Sequence, residues 1–344
     1  VSATAALLTR ADQLAADGQT IEAIRELTAA NREQSDPAVE RALVRLRHAA
    51  WPEVDRTGPG HAWDALEAAA AEAVVPAGDV AMPEVAAADL DAVAIRSAIA
   101  SHGGIIVRGL LTEQWCATLR DDIDRSWEAI ERHRETHEVD PAWFDPVDTD
   151  KYGLTMASRT WPMSGGTAYV PDSPRLLFDL LDAFEEVGVK RVVTDYFLEP
   201  PALSLIKIAQ RRLAPEASGG WHQDAAVYGA DARTLNFWVP VSRCGDVAPG
   251  LEMWPRRLDY IVETLGTKGV AEFYPKKDEI AKLTSQLASA RPVFEAGDAA
   301  IFDQFLLHRT AASPEFSEKR YGFECWFFAP STYPDPNRWI PLVY

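Results

Sequence analysis

Apolar residues recur through the first fifty positions at helical spacing. Leu7, Leu8, Ala11, Leu14 and Ala15 fall three and four apart before Gly18 punctuates the run, and Ile21, Ala23, Ile24, Leu27 and Ala30 repeat the pattern. Asp36-Pro37 reads as an N-cap followed by proline in the first turn, opening a third helix with Val39, Ala42, Leu43, Leu46 and Ala49. Residues 53–90 form a transition broken by Pro59-Gly60 and Pro76, with an alanine-rich helix expected over Trp63–Val75. A helix over Ile95–His102 is stopped by Gly103-Gly104. The β-branched run Ile105-Ile106-Val107 then reads as a buried strand, and Thr112 as the N-cap of an amphipathic helix over Glu113–His133. Residues 140–175, rich in Pro, Gly, Ser and aromatics, predict a long loop region, and helical periodicity returns over Asp172–Val187.

From residue 190 the texture changes to short apolar runs between Gly/Pro turns. Strands are expected at Lys190–Val193, Leu203–Gln210, Leu235–Val241, Gly250–Trp254, Ala299–Leu306 and Arg320–Phe328, with a helical insertion over Leu258–Ala290. Regularly spaced strands of this kind predict a barrel or jelly roll. The fold class is therefore mainly β with flanking helices (α+β), preceded by an α-helical N-terminal segment. The expected organisation is residues 1–52 helical, 53–90 linker or transition, and 91–344 the β-rich domain.

Composition narrows the partners. The 344 residues carry a formal charge of −18, which disfavours a nucleic-acid surface or adhesion to anionic membranes. Cys116, Cys244 and Cys325 are widely separated and lack zinc-site spacing, as suits free thiols in a reducing, cytoplasmic setting. No apolar run is long enough to span a bilayer.

The candidate chemistry centres on Trp221-His222-Gln223-Asp224. If this stretch is extended, His222 and Asp224 project to one face and Gln223 to the other. His308, 84 residues after Asp224, is placed to complete a two-histidine, one-carboxylate facial set, the donor arrangement of non-haem Fe(II) sites. Downstream, alternation puts Arg320, Gly322, Glu324 and Trp326 on one strand face. Gly322 suggests room beside Arg320 for a bound carboxylate, with Thr310 offering a hydroxyl from the His308 strand. Asn236 and Glu324 are expected to face inward as substrate contacts, and Ser158 and Arg159 in the long loop are further candidates. His133 and His137 lie four apart in a highly charged run and read as a solvated helix end.

In combination, His222-x-Asp224, His308 and Arg320 twelve residues later resemble the Fe(II)/2-oxoglutarate oxygenases, specifically the phytanoyl-CoA dioxygenase-like (PhyH) family. The phrases around Gly103–Leu111, Ala248–Arg257, Gly297–Asp303 and Arg320–Phe328 carry the same likeness, which covers roughly residues 90–335. The resemblance implies a double-stranded β-helix (jelly-roll, cupin-like) core. It implies iron held by His222, Asp224 and His308, 2-oxoglutarate held by Arg320 and Thr310 with Trp238 beside it, and O2 as oxidant. The implied reaction hydroxylates, or otherwise oxidises, an unactivated C–H of a small molecule while 2-oxoglutarate is decarboxylated to succinate. One departure is Trp254-Pro255-Arg256-Arg257, where many relatives have Pro-Gly-Ser-His. The N-terminal helices resemble one tetratricopeptide repeat plus the first helix of another, with several aromatic positions lacking; a packing or dimerising (homodimer) appendage is expected ahead of a protein-docking contact. The alternative function is a catalytically lapsed β-helix acting as an adaptor; a metalloenzyme that uses no 2-oxoglutarate would leave Arg320 without a role.

Overall fold

The computed structural model describes residues 3–72, 81–153, 163, 165–266 and 273–344. Three helices open it: α1 (Ala3–Ala16), α2 (Thr20–Glu33) and α3 (Pro37–Ala49), the last capped by the Asp36 carboxylate accepting from the Ala38 amide. Their apolar faces, led by Ala23, Leu27, Leu43 and Leu46, pack together and against Phe178 and Val343. Polar ties hold them down as well. Glu40 is buried and pairs with Arg175 at 2.5 Å, and Arg47 Nη1 donates to the Val343 carbonyl at 2.9 Å. His48 lies 2.9 Å from the Pro341 carbonyl and 2.6 Å from the Tyr152 hydroxyl.

After α4 (His61–Glu72), strand β1 (Glu84–Ala86) runs parallel to β2 (Gly104–Arg108), which follows α5 (Ala92–His102). Helix α5 ends where the sequence predicts, at Gly103, whose φ of 82° closes the helix in the left-handed region. Thr112 caps α6 (Glu113–Thr136) by accepting from the Trp115 amide. The remaining strands are β3 (Thr167–Tyr169), β4 (Ala202–Leu213), β5 (Thr234–Pro240), β6 (Leu251–Met253), β7 (Ala299–Phe302), β8 (His308–Thr310), β9 (Arg320–Phe328) and β10 (Pro341–Val343). The large sheet runs β1-β2-β7-β5-β9-β4-β10 with β3 paired to β4, and β6-β8 form a second, smaller sheet. This is the mixed α+β architecture of a double-stranded β-helix.

Strand alternation divides the apolar residues between two layers. On β9, Phe323, Cys325 and Phe327 face the helices together with Phe237 and Val239 of β5 and Leu176, Leu180 and Phe184 of the helix Pro174–Glu186. Trp326 and Phe328 face the other way, joining Trp238, Phe302, Met253 and Trp339 in the inner layer. The site lies on that inner side.

Two expected elements differ. Lys190–Val193 is not a strand but part of the helix Val189–Phe197, because Val189, Val192, Val193, Tyr196 and Phe197 repeat at three- and four-residue spacing that the run of valines disguises. Among its described residues the insertion over Leu258–Ala290 contains one helix, Lys277–Gln286; Leu258, Val262 and Leu283 gather with Trp254 and Leu307 in a small satellite cluster. Residues 267–272 of it, and the end of the helix expected over Trp63–Val75, lie outside the described residues. Within the 53–90 transition, Trp63 is buried against Tyr196 and Phe197. Among the described residues no helix is long and apolar enough to cross a membrane.

Candidate metal centre

The two histidines meet across a single antiparallel bridge. The His222 amide donates to the His308 carbonyl at 3.0 Å and the His308 amide returns the bond at 3.1 Å. Their rings come within 4.3 Å, centroid to centroid. The extended stretch expected through Asp224 is only this bridge: at Asp224 the backbone turns helical (φ −67°, ψ −21°) and leads into a short helix, Ala225–Tyr228. That turn, and not strand alternation, swings the carboxylate back beside the rings. One ligand atom from each of His222, Asp224 and His308 lies within 4.8 Å of the others, with Asp224 Oδ2 at 3.8 Å from His308 Nε2.

Each imidazole is oriented in the same way. His222 Nδ1 lies 2.9 Å from the Gly220 carbonyl and His308 Nδ1 lies 3.0 Å from the Leu306 carbonyl. A carbonyl only accepts, so each Nδ1 donates, and Nε2 is the ring nitrogen left to face a metal. Burial, and then the neighbouring His222 ring, push His308 down to about 4 against the opposing pull of Asp224. The ring is therefore neutral at physiological pH, the form that ligates. Gln223 points away, as expected, and braces the site: its Nε2 donates to the carbonyls of Phe305 (2.7 Å) and Tyr260 (3.1 Å), and its Oε1 accepts from the Val262 amide (2.7 Å). Phe273 and Tyr274 pack near the partly exposed His222 ring.

Arg320 is 1% exposed and its guanidinium stands 4.9 Å from the Trp238 ring centroid. Its Nη1 donates to the Pro249 carbonyl at 3.0 Å, and among the described residues no carboxylate forms an ion pair with it. Burial pulls its pKa down to about 10, which still leaves it cationic near neutrality. A buried cation without a carboxylate is costly unless a ligand supplies one. Gly322 does not make room beside it, although the sequence suggests so. A Cβ at Gly322 would stand 2.8 Å from the Val239 carbonyl oxygen, so that glycine serves the close approach of β5.

The other candidates are placed as follows. Thr310 sits two positions beyond His308 on β8, half-buried. Asn236 is buried opposite Trp326 and Phe302, and among the described residues its Oδ1 has no hydrogen-bond partner. Glu324 faces inward, but Arg211 engages both its oxygens, at 2.6 and 3.0 Å. Burial raises Glu324, yet the charge and hydrogen bonds of Arg211 outweigh that and hold it at about 2. Ser158 and Arg159 lie outside the described residues. His133 and His137 end α6 far from this chemistry, His133 against Phe144. Sequence reading missed Lys207 and Arg211 on the inner face of β4. The signal was available: a lysine amid Leu205, Ile206 and Ile208, with arginine four residues on.

The phytanoyl-CoA dioxygenase (PhyH) family profile matches residues 99–316, a span that includes His222, Asp224 and His308. No curated protein matches the chain. Among solved structures, EvdO2 from Micromonospora carbonacea var. aurantiaca complexed with 2-oxoglutarate is 15% identical, with 70% of this chain and 93% of that chain covered and a TM-score of 0.45. AviO1 from Streptomyces viridochromogenes Tue57 is 16% identical, with 72% and 99% covered and a TM-score of 0.45. EctD from S. alaskensis with 2-oxoglutarate and 5-hydroxyectoine is 13% identical, with 69% and 76% covered and a TM-score of 0.46. These likenesses are distant, and the assignment rests on the family match: the chain belongs to the phytanoyl-CoA dioxygenase family and is an Fe(II)- and 2-oxoglutarate-dependent oxygenase.

Proposed function

We propose that His222, Asp224 and His308 hold the ferrous ion, that Arg320 receives the distal carboxylate of 2-oxoglutarate, and that the enzyme hydroxylates or otherwise oxidises an unactivated C–H bond of a small molecule. The observation that carries this reading is the donor set: two imidazoles, each with Nδ1 against a backbone carbonyl and Nε2 left for a metal, and one carboxylate, converging from two stretches of chain. Three donors on one face of an octahedral ion leave the other positions for cosubstrate and O2. When bound, ferrous iron with 2-oxoglutarate and O2 supplies the oxidising chemistry, and 2-oxoglutarate is decarboxylated to succinate.

The chain's own part is binding and orientation. The carbonyls of Gly220 and Leu306 fix the two rings, Gln223 fixes the turn that carries Asp224, and the Trp238 ring supports the guanidinium of Arg320. Trp238 and Thr310 support the cosubstrate, and Asn236, whose Oδ1 has no hydrogen-bond partner among the described residues, is a substrate contact. Glu324 acts by holding Arg211. The buried thiols Cys116, Cys244 and Cys325 suit a cytoplasmic enzyme. A homodimer or protein contact through residues 1–52 would use the outer faces of the helices, because their apolar faces already pack on Phe178 and Val343; sedimentation velocity tests it.

The central test is an anaerobic titration of the Fe(II) protein with 2-oxoglutarate, followed by the visible metal-to-ligand charge-transfer band. Saturable formation of the band, lost in His308→Ala, is expected. Absence of both the band and succinate formation under air would favour the lapsed, adaptor reading.

A further inference from the structure

The inner face of the large sheet carries three cations. Lys207 and Arg211 come from β4, and Arg320 comes from β9. Cross-strand register places them on that face: Ala209 stands opposite Glu324 and Arg211 opposite Gly322, while Ile208, next to Lys207, stands opposite Cys325 in the outer layer. Two of the three cations have matched counter-charges. Arg211 grips Glu324 through both oxygens. Arg320 is answered by the cosubstrate under the reading above.

Lys207 pairs with Asp224, which is also a proposed ligand of the iron. Its Nζ lies 3.6 Å from Asp224 Oδ1, beyond the range of a short charge-assisted hydrogen bond, while Asp224 Oδ2 is the oxygen that faces His308. The ammonium lies 4.8 Å from the Tyr228 ring centroid and 5.5 Å from that of Trp339, which confine the lysine stem without neutralising its charge. Its side chain is 23% exposed, so it is partly buried yet reachable. With ferrous iron on the triad, the Asp224 charge is directed to the metal. The dication and three side-chain cations would then be set against Asp224, Glu324 and the two carboxylates of 2-oxoglutarate, leaving one positive charge without a counterpart. A partly buried ammonium is stabilised by an anion.

We propose that Lys207 is a specificity-determining residue and that the substrate is a small organic carboxylate whose anionic group it receives beside the iron. The proposal rests on the iron and 2-oxoglutarate reading. It excludes amines: a substrate ammonium would meet Lys207 and the metal with like charge, and Glu324, the inward carboxylate that would have welcomed it, is already held by Arg211.

The test uses the anaerobic Fe(II)–2-oxoglutarate protein and three probes of one length: hexanoate, hexanamide and hexylamine. Binding is read from perturbation of the charge-transfer band and from quenching of tryptophan fluorescence. Hexanoate is expected to bind at least tenfold more tightly than hexanamide, with hexylamine weakest. Lys207→Met, which keeps the stem against Tyr228 and Trp339, is expected to erase the preference, and Lys207→Arg to restore it. The ranking of the probes on the unaltered protein stands even if Lys207→Met does not fold. Equal binding of hexanoate and hexanamide overturns the proposal. So does a Lys207→Met variant that loses 2-oxoglutarate affinity and keeps the hexanoate preference, since the lysine would then serve the cosubstrate. Failure of the charge-transfer band to form before any probe is added is a different result and overturns the iron and 2-oxoglutarate reading itself.

Discussion

Arg320→Met separates a ligand-binding arginine from a structural one, because the two roles predict opposite signs. Arg320 is 1% exposed, donates to the Pro249 carbonyl and lies over the Trp238 ring. Burial already works against its charge, drawing the pKa down to about 10. Methionine retains the packing on Trp238 and removes a buried charge without a carboxylate partner, a change that is commonly neutral or stabilising. Removing one partner of a desolvated, hydrogen-bonded charge pair costs about 2–5 kcal/mol. At 1.4 kcal/mol per decade, the 2-oxoglutarate Kd should rise roughly 30-fold to a few thousand-fold. Isothermal titration of the Fe(II) protein under argon gives Kd, and a thermal melt without cosubstrate gives the fold's response. The expected pair is a weakened Kd with an unchanged or higher Tm. A Tm that falls while Kd stays within threefold of the starting protein would refute the reasoning and return Arg320 to the scaffold.

Three further outcomes follow from particular contacts. Gln223→Leu leaves the Phe305 and Tyr260 carbonyls and the Val262 amide without their partner, and should cost about 2–4 kcal/mol by chemical denaturation while weakening iron binding; unchanged iron affinity would show that the turn at Asp224 holds itself. Glu324→Gln removes the counter-charge of Arg211 and should destabilise by roughly 3 kcal/mol, read from the denaturation midpoint; a neutral effect would mean that solvent serves Arg211 as well. Asp122 on α6 is pushed up to about 7 by burial and then by Asp179, and Asp179 is itself raised by burial, against partial relief from Arg175. The folded state thus keeps protons that the unfolded chain releases, so this contribution is full below the ordinary carboxylate range and is lost as pH rises toward 7. Asp122→Asn should therefore melt higher than the starting protein at pH 8, with the gap closing toward pH 4; a gap independent of pH would overturn the assignment.

The limits of what could be read from the sequence lie in local geometry. Helix ends at Gly103 and Thr112 were legible because capping depends on residue type within four positions. The triad was legible for a different reason. Few residue sets combine an imidazole-x-carboxylate with a distant histidine and an arginine, so the chemistry outweighs a mistaken path: Asp224 joins the two histidines by a helical turn where the pattern predicts an extended strand. The same independence of path failed for Glu324 and Gly322. Alternation placed Glu324 inward correctly, but its meaning depended on Arg211, which lies across β4 and has no local signature linking it to β9. Likewise, whether a glycine makes room for a ligand or for a neighbouring backbone is decided by the strand beside it, here Val239 and Pro240 of β5. Lys207 shows the general case. A lysine within an apolar run is conspicuous in the sequence, yet its role depends on which charges the fold leaves unanswered around it. That balance exists only after β4, the turn at Asp224 and the Trp339 segment have come together.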